Sequence, residues 1–455
     1  MQRRQFIKSA ALTGSGLLIL PSGMRAGAKA PSNKLNVALI GAWGRATAHY
    51  SVLSAETVAA LCDVNENYLA DAAKKFPDAK TYTDWRKCIG QNGLDAVVIC
   101  TADHHHAFIA NWSINRGLHV FCEKPLGISV EEVRTVRANY LRNKSKLATQ
   151  HGTQRHAFPN FERVRELLLD GAIGELKSVS AWDSRKNGRP GYPPGEGEPP
   201  AYLHYDQWIG PSPSHPYNPE YFSATSPGSN CLKWNPYSDF GVGQMGDMGA
   251  HTMDLVWNAI DAGVPLSVEA EGDKYNPAVC PVELKATFEH PANKWRPAVS
   301  VIWYQGGLKP NPPKPYIDLT KIGNGAIFEG TRGSILADFN SRMIIPANNE
   351  GDMTYYKRRS AEQLLPLIGG TGAQSGRNLD QLFQQEWINA CKGDKKTSCD
   401  FDYAGTMMEQ MILGLVAHRA GKKLQYDPAA GRVTNVPEAN DFLGRKYRSG
   451  WTLDG

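Results

Sequence analysis

The sequence predicts an α/β protein in two parts: a doubly wound, parallel N-terminal domain, then a second α/β domain on an open, mainly antiparallel sheet. Three observations carry this. Short apolar runs alternate with helical segments across residues 35–151, the pattern of a parallel sheet with helices on both faces. The first run stops at Gly41, and an acid, Asp63, closes the second run 22 residues later. Between residues 267 and 339 the helical period disappears and strand-like runs follow one another.

The 455 residues suffice for two domains. A formal charge of +5, with no Lys/Arg block, gives no reason to expect a nucleic-acid partner. The eight cysteines include no C-x-x-C pair, which argues against a structural zinc site. Residues 1–30 are set apart as a targeting segment. Arg3, Arg4, Phe6 and Lys8 precede an apolar run, 10–20, too short to span a membrane. Ala26-Gly27-Ala28 offers a cleavage site. The twin arginines resemble a Tat-type signal, so the expectation is a periplasmic protein with no stable membrane anchor. The rest divides at 31–152 and 153–455.

The run 35–40 reads as a buried parallel strand. It leads into Gly41-Ala42-Trp43-Gly44-Arg45-Ala46, the place for a dinucleotide fingerprint, Gly-x-Gly-x-x-Gly/Ala. Gly41 and Ala46 fit its first and third positions. Trp43 stands at the second, where backbone must come close to a pyrophosphate, and Gly44 restores freedom one residue later. The run 58–62 delivers Asp63 at the spacing of a carboxylate that binds the adenosine ribose and repels a 2′-phosphate, favouring NAD over NADP.

Residues 65–76 read as helix and 94–100 as the most apolar strand. Thr101-Ala102-Asp103-His104-His105-His106 follows at the strand end. Adjacent histidines point in different directions, so cofactor contact or helix capping is expected and a metal is not. The strand 118–122 delivers Glu123-Lys124-Pro125. Pro125 cannot continue a ladder. Lys124 is therefore projected at the carboxyl edge of the sheet, where open α/β folds bind ligands. Helix 130–142 and strand 146–151 complete the alternation.

In the second part, 161–169 reads as helix and 176–183 as strand. The loop 186–219 is rich in Pro, Gly, Tyr and Trp, of the kind that covers a site. Residues 245–260 read as one helix, with Asp247 and His251 four apart on one face. Strands at 282–288, 298–304, 325–329 and 333–337 suggest the antiparallel sheet. Helices at 378–392 and 403–420 follow, and the tail beyond 425 reads as loop.

The Gly41 turn, Asp63, Thr101 to His106, Glu123-Lys124-Pro125 and Gly246-Asp247-Met248-Gly249-Ala250-His251 together resemble the Gfo/Idh/MocA oxidoreductases. The likeness runs over about 36–420; Trp43 and Ala102 depart from the usual pattern. It implies a Rossmann domain, then an α/β domain whose open sheet serves homo-oligomerisation as a dimer or tetramer. It also implies hydride transfer between NAD(P) and a hydroxyl or carbonyl of a sugar, sugar derivative or cyclitol. Lys124, Asp247 and His251 take the catalytic positions. The chemistry agrees: an imidazole can accept a hydroxyl proton near neutral pH, and a lysine can stabilise a developing alkoxide. Expected cofactor contacts are Gly41, Trp43, Gly44, Arg45, Ala46, Asp63, Thr101, Asp103, His106, Glu123 and Lys124. Glu123 is expected to hold the lysine or to meet the nicotinamide ribose. Expected substrate contacts are Gln154, Arg155, Trp182, Asp183, Arg185, Trp208, Asp247 and His251. Two other readings compete: glycoside cleavage through transient oxidation at tightly bound NAD, and a carbohydrate-binding protein on a retired Rossmann scaffold.

Overall fold

Six strands form a wholly parallel sheet: β1 (Asn36–Ile40), β2 (Thr57–Cys62), β3 (Lys80–Tyr82), β4 (Ala96–Ile99), β5 (His119–Cys122) and β6 (Thr149–His151). Their order is β3-β2-β1-β4-β5-β6. The order in which strands are added reverses at β1, which leaves a crevice beyond the ends of β1 and β4. The computed structural model describes residues 33–348 and 378–454, Thr225 excepted; the 1–30 targeting segment lies outside them. Sequence reading misses β3 because it is a short edge strand, exposed at Lys80 and Thr81, with no apolar run to reveal it.

Side chains alternate across this sheet. Ala38, Ile40, Val97 and Val120 face a core shared with Phe108, Ile109, Val133 and Val136 of helices Asp103–Asn115 and Val130–Asn143. Val37, Leu39, Val98 and Phe121 face the other way. There, helix Leu379–Lys392 contributes Phe383, Trp387, Ile388 and Cys391 to the core. The far end of the chain returns to the same layer: Asn111 donates to the Leu453 carbonyl at 2.9 Å and Trp112 to that of Thr452 at 3.0 Å.

The second sheet has nine strands. To β7 (Leu176–Asp183), β8 (Ser267–Gly272), β9 (Leu284–His290), β10 (Val299–Gln305), β11 (Asn324–Gly330) and β12 (Gly333–Ala337) it adds β13 (Arg342–Pro346), β14 (Leu424–Asp427) and β15 (Arg432–Val433). The order is β13-β12-β11-β7-β10-β9-β8-β14-β15, and every pair is antiparallel except β7 with β10. In β9 and β10 buried and half-buried residues alternate strictly, the signature of a sheet covered on one face. Helices Met248–Ile260 and Phe401–Ala420 pack on that face. The loop expected beyond 425 is corrected: the segment adds the short strand β14 and, at the edge, β15.

Candidate active site

At the end of β5 the Glu123 amide donates to the Ile99 carbonyl at 2.9 Å. The ladder then stops at Lys124 and Pro125, joined by a cis peptide. His106 ties this turn down, with Nδ1 2.6 Å from the Pro125 carbonyl and Nε2 3.0 Å from that of Thr101. Lys124 Nζ, thus aimed off the sheet edge, donates to Asp247 Oδ1; the other Asp247 oxygen accepts from Arg185. Arg185 follows β7, where its amide donates to the Asp183 carboxylate at 2.9 Å.

Asp247 does not share a helix with His251, and that expectation is corrected. A turn at Gly243–Gly246 is followed by a break at Asp247, with φ −85° and ψ −94°, before helix Met248–Ile260 begins. Gly243 opens the turn at φ +58°, where a side chain would be strained and a Cβ would lie 2.7 Å from Cys280. The break frees Asp247 to face Lys124 and Arg185 across the gap between the two sheets.

The charges settle one another. Burial lowers the Lys124 ammonium, but Asp247 outweighs it and holds the lysine protonated, above its ordinary value. Burial raises Asp247, but Lys124 and Arg185 hold it below the usual carboxylate range. Burial, reinforced by Lys124 and Arg155, keeps His251 well below the usual imidazole range, hence neutral at pH 7. Its Nδ1 has no partner among the described residues. Asp103 is buried nearby; burial drives its carboxyl well above the ordinary range against the pull of Lys124. Arg155 lies over the Phe339 ring at 4.2 Å.

Beside this cluster runs an open groove at the carboxyl edge of the sheet. Gly41, Trp43, Asp63, Tyr68, Cys100 and Thr101 form its floor and inner wall. Gly41 has φ +79°, and a Cβ there would lie 2.5 Å from the Cys100 carbonyl oxygen, so only glycine closes this turn. Asp63 accepts from the amides of Ala42 at 2.7 Å and Asn65 at 2.9 Å. Burial pushes its carboxyl up to about 6 even so. The long loop supplies the outer wall through Leu203 and Trp208, and the segment that follows it adds Phe222 and Trp234. It is laced to the segment after Asp63: Glu66 donates to Tyr202 at 2.9 Å and His204 to Val64 at 2.8 Å, main chain to main chain. The switch-point position, the obligatory glycine and the fixed acid fit a dinucleotide.

Several expected contacts fall elsewhere. Glu123 does not hold the lysine; one oxygen accepts from Arg45 and meets His49, each at 2.9 Å. Its other oxygen faces Gly152, where a Cβ would lie 2.4 Å away. Arg45 is engaged with Glu123 and Asp380, away from the groove, and Gln154 sits beside it. Gly44 shapes the turn at φ +66° and Ala46 is buried in the core, so neither lines the groove. His106 anchors the lysine turn. Trp182 is corrected most plainly: fully buried, it donates to the Ile322 carbonyl at 2.9 Å and packs with Leu319, Ile327 and Leu336. Trp208 lines the nucleotide-type groove, stacks on Tyr221 and meets Phe240 at a tilt. Sequence reading leaves out Tyr68 and Trp85, which also line the groove; His105, from the histidine run expected to meet the cofactor or cap the helix, lines it too. Of the two missed residues only Tyr68 carries a sequence signal, lying in the first turn of the helix that follows Asp63.

Residues 35–151 match GFO_IDH_MocA, an oxidoreductase family with an NAD-binding Rossmann fold, and residues 180–356 match that family's C-terminal alpha/beta domain. An inositol 2-dehydrogenase of Rhizobium meliloti (strain 1021) is 38% identical over 87 residues, 19% of this chain and 26% of the relative. A D-glucoside 3-dehydrogenase of Escherichia coli (strain K12) is 26% identical over 165 residues, 35% of this chain and 46% of the relative. The chain thus spans less than half the length of these curated relatives. The WlbA dehydrogenase from Bordetella pertussis, solved with NADH and UDP-GlcNAcA, superposes with a TM-score of 0.59 over 87% of this chain and 98% of that one, at 15% identity. That is a likeness of fold.

Proposed function

The chain belongs to the Gfo/Idh/MocA oxidoreductase family, with an NAD-binding Rossmann domain, and from that premise we propose that it transfers hydride between NAD and a hydroxyl-bearing or carbonyl carbon of a sugar, sugar derivative or cyclitol. The observation that carries this reading is the ion-paired Lys124, held by Asp247 at the strand edge beside the groove.

The nicotinamide ring supplies the hydride acceptor or donor when bound. The remaining work falls to side chains. Lys124, kept charged by Asp247, donates to the substrate oxygen and stabilises negative charge as the C–H bond breaks. His251, kept neutral, accepts the hydroxyl proton on a ring nitrogen. Asp247 fixes the lysine and, through Arg185, ties β7 to the site. Asp183, Arg185 and Arg155 gather around Asp247, suited to the neighbouring hydroxyls of a polyol. The names of the inositol and glucoside dehydrogenases among the relatives support such a substrate. Arg3 and Arg4 support export and a periplasmic site of action. The half-open face of the nine-stranded sheet supports self-association.

To test the reading, the mature chain is purified and denatured, and the supernatant is assayed for NAD(H). The native protein is then screened against cyclitols, aldoses and glycosides, following NADH formation and bond cleavage separately. Bound or bindable NAD, with NADH formed from a polyol, is the expected result. A chain that neither carries NAD nor binds it when added would overturn the proposal.

A further inference from the structure

We infer that Trp43 and Tyr68 together form the platform for the adenine ring of NAD, beside the fixed carboxylate of Asp63. The inference rests on the reading of the groove as the NAD site.

In the fingerprint, the second glycine lets the pyrophosphate approach bare backbone. A tryptophan there must either block the nucleotide or serve it. Trp43 has extended backbone, φ −126° and ψ −179°, and immediately precedes the helical turn Gly44–His49. Its indole lies flat on Tyr68: the ring centroids are 4.4 Å apart and the planes 10° from parallel. Tyr68 is held in turn by the start of helix Glu66–Lys75, whose cap Asn65 accepts from the amides of Asn67 and Tyr68. Both rings are half-buried and line the groove on the side of Asp63, the end where a ribose acid stands. Two stacked aromatics in that position present a π face to a purine, and base–aromatic stacking needs no further hydrogen bonds.

The surroundings argue against a 2′-phosphate. Asp63 is pinned by the main-chain amides of Ala42 and Asn65 and cannot swing away from a ligand. No lysine or arginine lies among the groove-lining residues described, and Asp63 is the only carboxylate there. A phosphate on the ribose would meet one fixed negative charge and no positive one.

The test uses the full chain freed of nucleotide with charcoal. NAD, NADP, ADP-ribose and nicotinamide mononucleotide are titrated by equilibrium dialysis, with tryptophan fluorescence as a second readout. Trp43→Gly, which restores the fingerprint, should weaken NAD and ADP-ribose by on the order of tenfold and leave nicotinamide mononucleotide unchanged. Tyr68→Leu should act in the same direction, and Trp43→Phe, which keeps a ring, should bind nearly as the parent does. NADP should bind the parent at least about tenfold more weakly than NAD. The platform is refuted if Trp43→Gly, shown folded by circular dichroism, binds NAD as tightly as the parent or more tightly. A parent that binds neither NAD nor ADP-ribose would instead bring down the proposed function itself.

Discussion

The lysine cluster and the groove open on the same strand edge but are made in opposite ways. The cluster gathers Lys124, Asp247, Arg185 and Asp103 from four separate stretches, and it balances burial against opposite charge. The groove floor is assembled between residues 41 and 101, holds one carboxylate, and is otherwise aromatic or main chain. The difference is one of vulnerability. Where charges balance one another in a dry site, removing one leaves its partner unpaired. Where a surface is aromatic and local, removing one ring leaves the rest standing.

Four measurements would break or sharpen this contrast. The largest effect is expected from Lys124→Ala, which should lower turnover by on the order of a hundredfold or more with NAD affinity preserved. If NAD affinity fell in parallel, the two regions would not be separable. Asp247→Asn should cost on the order of 2–3 kcal/mol in a denaturant melt, short of a fully buried pair because Arg185 reaches solvent. It should also bring the alkaline limb of the pH–rate profile down, since Lys124 loses the charge that holds it protonated.

The third measurement is acid stability. Burial depresses His105 and His290 to about 4 and His151 to about 3, and holds His104, His106 and His251 below the usual imidazole range as well. Between pH 6.5 and 4 the unfolded chain therefore binds more protons than the folded one, and stability is lost as pH falls through that window. His156, raised by its ion pair with Asp254 against its burial, and the carboxyls of Asp63 and Asp103, raised by burial, oppose this but are outnumbered by the depressed rings. Melting temperature should fall steadily from pH 7 to pH 4; a flat profile would show that these rings are not buried neutral. The smallest effect belongs to Trp182→Phe. It should cost about 1 kcal/mol for the lost bond to Ile322 and leave turnover untouched, whereas a fall in turnover would return Trp182 to the substrate site.

What the sequence shows tracks the same contrast. The parallel sheet, Gly41, Asp63 and Lys124 follow from local runs and spacings, because a buried strand and the turn at its end are written in consecutive residues. The register of Asp247 does not. A 245–260 helix is the natural reading of that composition, and only the packed structure shows the break that turns the carboxylate toward Lys124. Trp182 fails for a related reason. It alternates correctly along β7, but alternation does not say which face of a sheet carries the site. The outer wall of the groove was legible only as a loop fit to cover something. Its hydrogen bonds to Val64 and Glu66 join residues well over a hundred positions apart, and no local signal encodes them.

One face of the parallel sheet is closed by Phe383, Trp387 and Ile388, and a helix of the opposite face is fastened by the carbonyls of Thr452 and Leu453. During synthesis, then, the first hundred and fifty residues emerge with half their apolar layer waiting for a helix, Leu379–Lys392, that is translated more than two hundred residues later. The nucleotide domain is written first and finished last. A ribosome stalled before residue 379 would present an unsealed sheet, open to chaperones and proteases, and the time at which protease resistance appears on a nascent chain would mark the moment that seal is made.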